Sequence, residues 1–242
     1  CDGVIGRVPD SDAPRHVQGR LWKGVALFEK GLIYVPDDMG RRSTLDKAKD
    51  HWENFCWDYD GIIAGVYGYM YKGRVHEELG EYRDALEFLR NAASIDFQQT
   101  EGAADMLRTV VTEAYYRIGR MGNKAGTVVD DNDLEINYQK LAAEILSDLV
   151  ERIPEARMTK LGHRALLELA RAYMGTNDLE KALAVAEDVS SVASKLPEGW
   201  AYGTRMLADR LIGEIMAEAA KGGLVVKQNP DVLLRAAEGK MS

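Results

Sequence analysis

The chain has 242 residues, 46% of them hydrophobic, enough for a sizeable core in one domain or one repeat array. Its formal net charge of −8 suits neither a phosphate backbone nor an anionic membrane surface, so no nucleic-acid partner is expected. Six prolines and 8% aromatics make a helix-favouring composition, and two cysteines build neither a disulfide framework nor a zinc site.

Residues 1–16 lack helical periodicity and carry Pro9 and Pro14, so they read as a tether. From Val17 an apolar stripe of Leu21, Trp22, Val25, Phe28, Leu32 and Ile33 predicts a helix that stops before Pro36. Val35 to Ser43 is a loop broken by Pro, paired Asp and Gly, and Ser43 or Thr44 is placed to cap the next helix. That helix opens at Leu45 and continues through Ala48, Trp52 and Phe55. Cys56, between Phe55 and Trp57, reads as a small buried hydrophobe. Gly61, Gly65 and Gly68 crowd the helix that follows, which predicts tight packing against its neighbour. The longest nearly apolar run, Gly61 to Tyr71, falls well short of the about 20 residues that span a bilayer.

Tyr69 to Asp96 reads as two short helices about a turn at Leu79-Gly80-Glu81. Tyr69, Gly73 and His76 share one face of the first, and Ala85, Leu89 and Ala92 share one face of the second. Small residues set among large ones let such helices approach closely. The stretch Gly80-Glu81-Tyr82-Arg83-Asp84-Ala85, with Gly73 upstream and Ala92 downstream, resembles a tetratricopeptide repeat (TPR). The resemblance implies an all-α, right-handed α-solenoid of helical hairpins that binds other proteins and catalyses nothing. His76 falls where that family places a large aromatic, so its implied role is packing.

The unit recurs with variations. Leu45-Asp46-Lys47-Ala48 repeats the spacing of Tyr82 to Ala85, making residues 17–58 a first hairpin with an enlarged turn. Residues 61–97 form the second. In the third, Leu107, Val110, Val111, Ala114, Tyr115 and Ile118 line one helix; a helix from near Leu134 to Ile153 carries Ala142, Leu146 and Leu149. Gly119 to Asp133 between them is predicted to be an expanded turn. The fourth has Leu166, Leu169, Ala170 and Tyr173, a turn at Asn177-Asp178, then Ala182, Ala186 and Val189. A long helix of about 198–220 ends at Gly222-Gly223, and Pro230 opens a short final helix. The chain thus divides into a tether (1–16), a TPR-like array of about four hairpins (17–197) and C-terminal capping helices (198–242), since a solenoid must cover its end. Ala48, Ala85, Ala142 and Ala182 are the small residues expected in the hairpin cores, with the widest gap between Ala85 and Ala142.

Chemistry-bearing patterns are weak. Gly119 to Thr127 resembles a phosphate loop but lacks a preceding strand and the Gly-Lys-Ser/Thr ending. Asp131, Asp133 and Glu135 alternate, yet Ile136 and Ala142 stand where a calcium loop needs Gly and Glu, so an acidic helix start is expected. His16, His51, His76 and His163 are never three or four residues apart. No catalytic residue, cofactor or metal is expected, and the protein is not expected to be an enzyme.

What remains is a binding surface, and the resemblance supplies it. The first helix of each hairpin lines the concave side, which implies Tyr67, Met70, Arg74 and Glu77 in the second hairpin and Arg164, Leu167, Arg171 and Met174 in the fourth. Three arginines among apolar side chains suit an extended acidic-hydrophobic segment of a partner protein. Family members that clamp a C-terminal carboxylate use Lys and Asn where Met70, Leu167 and Arg74 stand, so that mode is not expected. Two alternatives stand beside this scaffold. In one, Cys1-Asp2-Gly3 with the following tether resembles a mature bacterial lipoprotein, Cys1 carrying the lipid and the array facing the periplasm to assist outer-membrane or transporter assembly. If Cys1 instead marks a fragment of a longer chain, a cytoplasmic setting is expected. The other alternative is a helical enzyme or small-molecule binder whose cavity is lined by Tyr67, Tyr115 and Trp200.

Overall fold

The computed structural model describes residues 14–95, 104–129, 133–197 and 199–224. The tether up to residue 13, including Cys1, and the short helix expected after Pro230 lie outside them. The fold is all-α, built of helical hairpins in sequence order, and divides into two compact units, 1–114 and 115–242.

The first unit holds α1 (Pro14–Ile33), α2 (Met39–Asp58), α3 (Ile63–Leu79) and α4 (Tyr82–Ala93), each packed on the next, with α1 also touching α3. Contact with both the preceding and the second-preceding helix is what stacked hairpins produce. Helix α1 starts at Pro14, inside the expected tether, because proline suits a first helical turn whose N–H groups have no partner. Helix α2 also begins early. Asp38 is its cap, accepting from the Gly40 N–H at 2.6 Å. Ser43 and Thr44, the expected caps, are therefore internal, and Thr44 is buried.

The unit's core is Phe28, Leu45, Ala48, Trp52, Phe55, Tyr59 and Val75. The Trp52 indole stacks on Tyr71 with ring centroids 4.9 Å apart and planes at 10°. Between α3 and α4 the approach is so close that a Cβ on Gly73 would lie 2.6 Å from Leu89 Cγ. The turn between them is as expected. Gly80 takes φ +79°, and the Glu81 N–H reaches back to the His76 carbonyl at 2.9 Å. The packing expected of Gly65 and Gly68 is present as well. A Cβ at Gly65 would meet the Tyr59 carbonyl at 2.3 Å, and one at Gly68 the Cys56 sulfur at 2.9 Å.

Helix α5 (Ala104–Ala125) runs unbroken through Gly119 and Gly122, which corrects the expected turn. These glycines mark crossings. A Cβ on Gly122 would fall 2.5 Å from Ala142 Cβ, and one on Gly119 2.6 Å from Glu168 Cβ. The true connection is an antiparallel ribbon of β1 (Thr127–Val129) and β2 (Glu135–Asn137), paired Thr127 to Asn137, Val128 to Ile136 and Val129 to Glu135. Glu135 thus lies in a strand, not at an acidic helix start. The helix expected from Leu134 begins as α6 (Tyr138–Leu146), where Asn137 Oδ1 accepts from the Lys140 N–H at 2.8 Å. It does not reach Ile153 unbroken. A four-residue helix α7 (Leu149–Arg152) and a 3-10 turn (Pro154–Met158) follow.

The second unit continues with α8 (Lys160–Gly175), α9 (Leu179–Ala193) and α10 (Gly199–Lys221), again each on the next, with α10 touching α8. Asn177 adopts φ +62° and Asp178 caps α9 through the Lys181 N–H. Gly223 closes α10 at φ +69°, with the Leu224 N–H bonded to the Ala219 carbonyl at 2.9 Å. Ala48, Ala85, Ala142 and Ala182 are all 0% exposed, and the ribbon accounts for the wide gap before Ala142.

Candidate interaction surfaces

In the second unit α8 and the later part of α5 share one face. Arg164 is exposed, its guanidinium 4.4 Å above the Tyr116 ring and its Nη2 donating to the Tyr116 hydroxyl at 2.7 Å. Arg117 lies over the same ring at 5.4 Å. Two guanidiniums on one aromatic ring form a cationic platform with an apolar floor. Two turns of α8 further on, Arg171 pairs with Glu168 at 2.7 Å, and Glu168 in turn accepts from Asn123 at 2.8 Å. Met174 is half-buried. Leu167, 2% exposed, supports the helix from beneath. Tyr116 and Arg117 escaped the sequence reading because they belong to a different helix; their only signal was an aromatic-basic pair inside α5, off its apolar stripe.

The expected residues of the first unit are placed differently. The Arg74 guanidinium lies over Phe28 at 4.5 Å and Tyr71 at 4.8 Å, and 3.8 Å from Glu29. It is packed onto α1. Met70 is 4% exposed and Glu77 is buried. Tyr67 is half-buried, its hydroxyl pushed up chiefly by burial and then by Tyr71.

His76 has more than a packing role. Its Nδ1 is 2.6 Å from Glu81 Oε2 and 3.7 Å from Asp84 Oδ2, while Lys49 Nζ lies 3.3 Å from both Glu81 oxygens. The donor atoms of His76, Glu81 and Asp84 are close enough together to hold a metal ion. Two features fit a metal poorly. The Lys49 ammonium already neutralises Glu81, and the buried Nε2 has no acceptor for the proton that a Nδ1-bound imidazole would carry there. The arrangement fits Nδ1–H donating to Glu81, which ties the end of α3 to the start of α4. Burial pulls His76 below the usual imidazole range, and the pull of Glu81 in the other direction does not make up for it.

Two cavities open in the first unit. One of about 920 Å³ is lined by residues of all four of its helices, among them Arg20, Trp57, Lys72 and Phe88. The other, about 650 Å³, is apolar and includes Ile62, Ile63 and Val66. Neither is lined by Tyr67, Tyr115 or Trp200, the residues expected to line an enzyme pocket. Trp200 packs against His163 at 5.4 Å, and the Tyr115 hydroxyl accepts from Arg152 at 2.9 Å.

No helix among the described residues is long and apolar enough to cross a membrane. Residues 67–99 match the family model described as tetratricopeptide repeat. The matched stretch takes in α3 from Tyr67, the Gly80 turn and α4, so the likeness to a tetratricopeptide repeat is carried by this hairpin. Such repeats are in general non-catalytic modules that bind proteins. No curated protein and no solved structure matches the chain.

Proposed function

We propose that this protein is a non-catalytic interaction scaffold, and that the α5–α8 face of its second unit holds an extended acidic-hydrophobic segment of a partner protein. The observation that carries the reading is the exposed Arg164 stacked on Tyr116 beside Arg117. With Nη2 engaged by the Tyr116 hydroxyl, the remaining N–H groups of the exposed Arg164 are left for carboxylates, which arginine binds through charge-assisted hydrogen bonds. Met174 supplies apolar contact between charges, and the buried Tyr116 ring holds the guanidiniums from beneath. Arg171 contributes by exchanging Glu168 for a partner's carboxylate. Leu167 is the floor beneath this face; Tyr67, Met70 and Arg74 lie in the first unit and are not part of this proposal.

The test is partner recovery by wild type against the double variant Arg164→Glu, Arg171→Glu, with thermal unfolding as a control for folding. Partners held by this face drop at least about tenfold in affinity when two attractive charges are reversed. Equal recovery by a variant with unchanged unfolding temperature removes the arginine face from the account.

A further inference from the structure

The 920 Å³ cavity of the first unit has a chemistry opposite to that of the arginine face. Glu53, Trp57 and Asp60 follow one another along one side at the end of α2, and all three are exposed. Trp57 is 85% exposed, although an indole is among the costliest side chains to leave in water. Two of the three lining carboxylates are already matched. Asp58 pairs with Arg20 at 2.5 Å, and Glu53 pairs with Lys72, whose ammonium also sits 3.9 Å from the Phe88 ring centre. Asp60 is not matched: among the described residues its partner is the Tyr69 hydroxyl at 3.0 Å, which is neutral. Helix α2 ends here with no basic residue in its own last turn, and Arg20 of α1 is the cation seated on that end. Tyr69 and Cys56 register the Asp60 charge. Burial first, and then Asp60, push each of them up to about 12.

We infer that this cavity is a second docking site, and that its occupant is an arginine side chain of a partner protein, stacked on Trp57 with its guanidinium against Asp60. Charge complementarity selects a cation, because Asp60 stands there with no cation of its own while Arg20 and Lys72 are matched to Asp58 and Glu53. The flat exposed indole selects arginine over lysine, since a guanidinium stacks on an aromatic face while its edge bonds a carboxylate. The site is independent of the α5–α8 proposal, being formed wholly within the other unit.

Nitrogen-15 tryptophan spectra test it, with the Trp57 indole resonance assigned by its loss in Trp57→Phe. The probes are capped tetra-arginine, tetra-lysine and tetra-glutamate peptides. Tetra-arginine is expected to shift the Trp57 resonance, and Asp60→Asn, which keeps the Tyr69 hydrogen bond and drops the charge, to weaken that binding roughly 3- to 10-fold. Tetra-lysine binds more weakly and tetra-glutamate leaves Trp57 unmoved. Binding unchanged in Asp60→Asn, or equal for lysine and arginine, overturns the assignment. A Trp57 resonance that moves with protein concentration, or on deletion of residues 1–13, overturns it in favour of a second copy or the chain's own segment. Tetra-glutamate shifts that vanish in the Arg164→Glu, Arg171→Glu variant report on the other face only.

Discussion

Three glycines illustrate how one residue type carries opposite costs. At Gly162 a Cβ would lie 2.0 Å from the Ala156 carbonyl oxygen, backbone that cannot step aside. Gly162→Ala is therefore expected to cost about 3 kcal/mol, read from the urea midpoint. Gly80 has open space around it but a φ of +79°, so Gly80→Ala costs about 1 kcal/mol through backbone strain alone. Gly203 is inside α10, with nothing within 4 Å, and Gly203→Ala is expected to stabilise by about 0.5–1 kcal/mol. In the sequence these positions look alike, apart from the acid-aromatic run after Gly80 that marks a turn.

Among the elements, the ribbon between α5 and α6 departs from a plain hairpin. Its strand residues are exposed or only half-buried, so it adds little to any core. Thr127 and Asn137 are already paired neighbours. Joining them directly by a short Gly/Asn linker in place of 128–136 is expected to leave helical circular dichroism unchanged and to cost under about 1 kcal/mol, because loop-closure entropy varies slowly with length. A loss of several kcal/mol would mean the ribbon organises α6. By contrast, Asn137→Ala at the ribbon's end removes the cap of α6 and is expected to cost about 1 kcal/mol. The helix stripes and the Gly80 and Asn177 turns were legible from spacing and turn chemistry. The ribbon was not, since three-residue strands carry no usable period, and Gly119 and Gly122 read as loop formers until α6 and α8 were set against them.

For the whole molecule, the buried histidines set the response to acid. His163 gives Nε2 to the Arg157 carbonyl at 2.5 Å, while its buried Nδ1 has no partner; His76 has Nε2 in the same state. A second ring proton would be buried without an acceptor at either site. Burial accordingly lowers both, and lowers the half-buried His51 as well. The unfolded chain then binds protons from about pH 6.5 downward while the folded chain does not. Stability is full above that pH and falls as the pH drops toward the lowered folded values. The urea midpoint should decline between pH 7.5 and 5.5, and more shallowly in His163→Gln. A flat profile over that range would show that the imidazoles stay accessible to protons.

From the chain alone came the hairpin as the building unit, the four buried alanines, the resemblance carried by Gly73 to Ala92, the start of α9 and both ends of α10. Each is written in local periodicity or in turn residues, which neighbours along the chain enforce. Tertiary structure alone decided what the surface charges do. Arg74 is committed to the rings of Phe28 and Tyr71, Arg164 is displayed on Tyr116, and Asp60 stands unmatched beside an exposed Trp57. The reason is that a charged side chain is used or spent according to what lies within about 4 Å of it, and at that range the neighbours come from other helices.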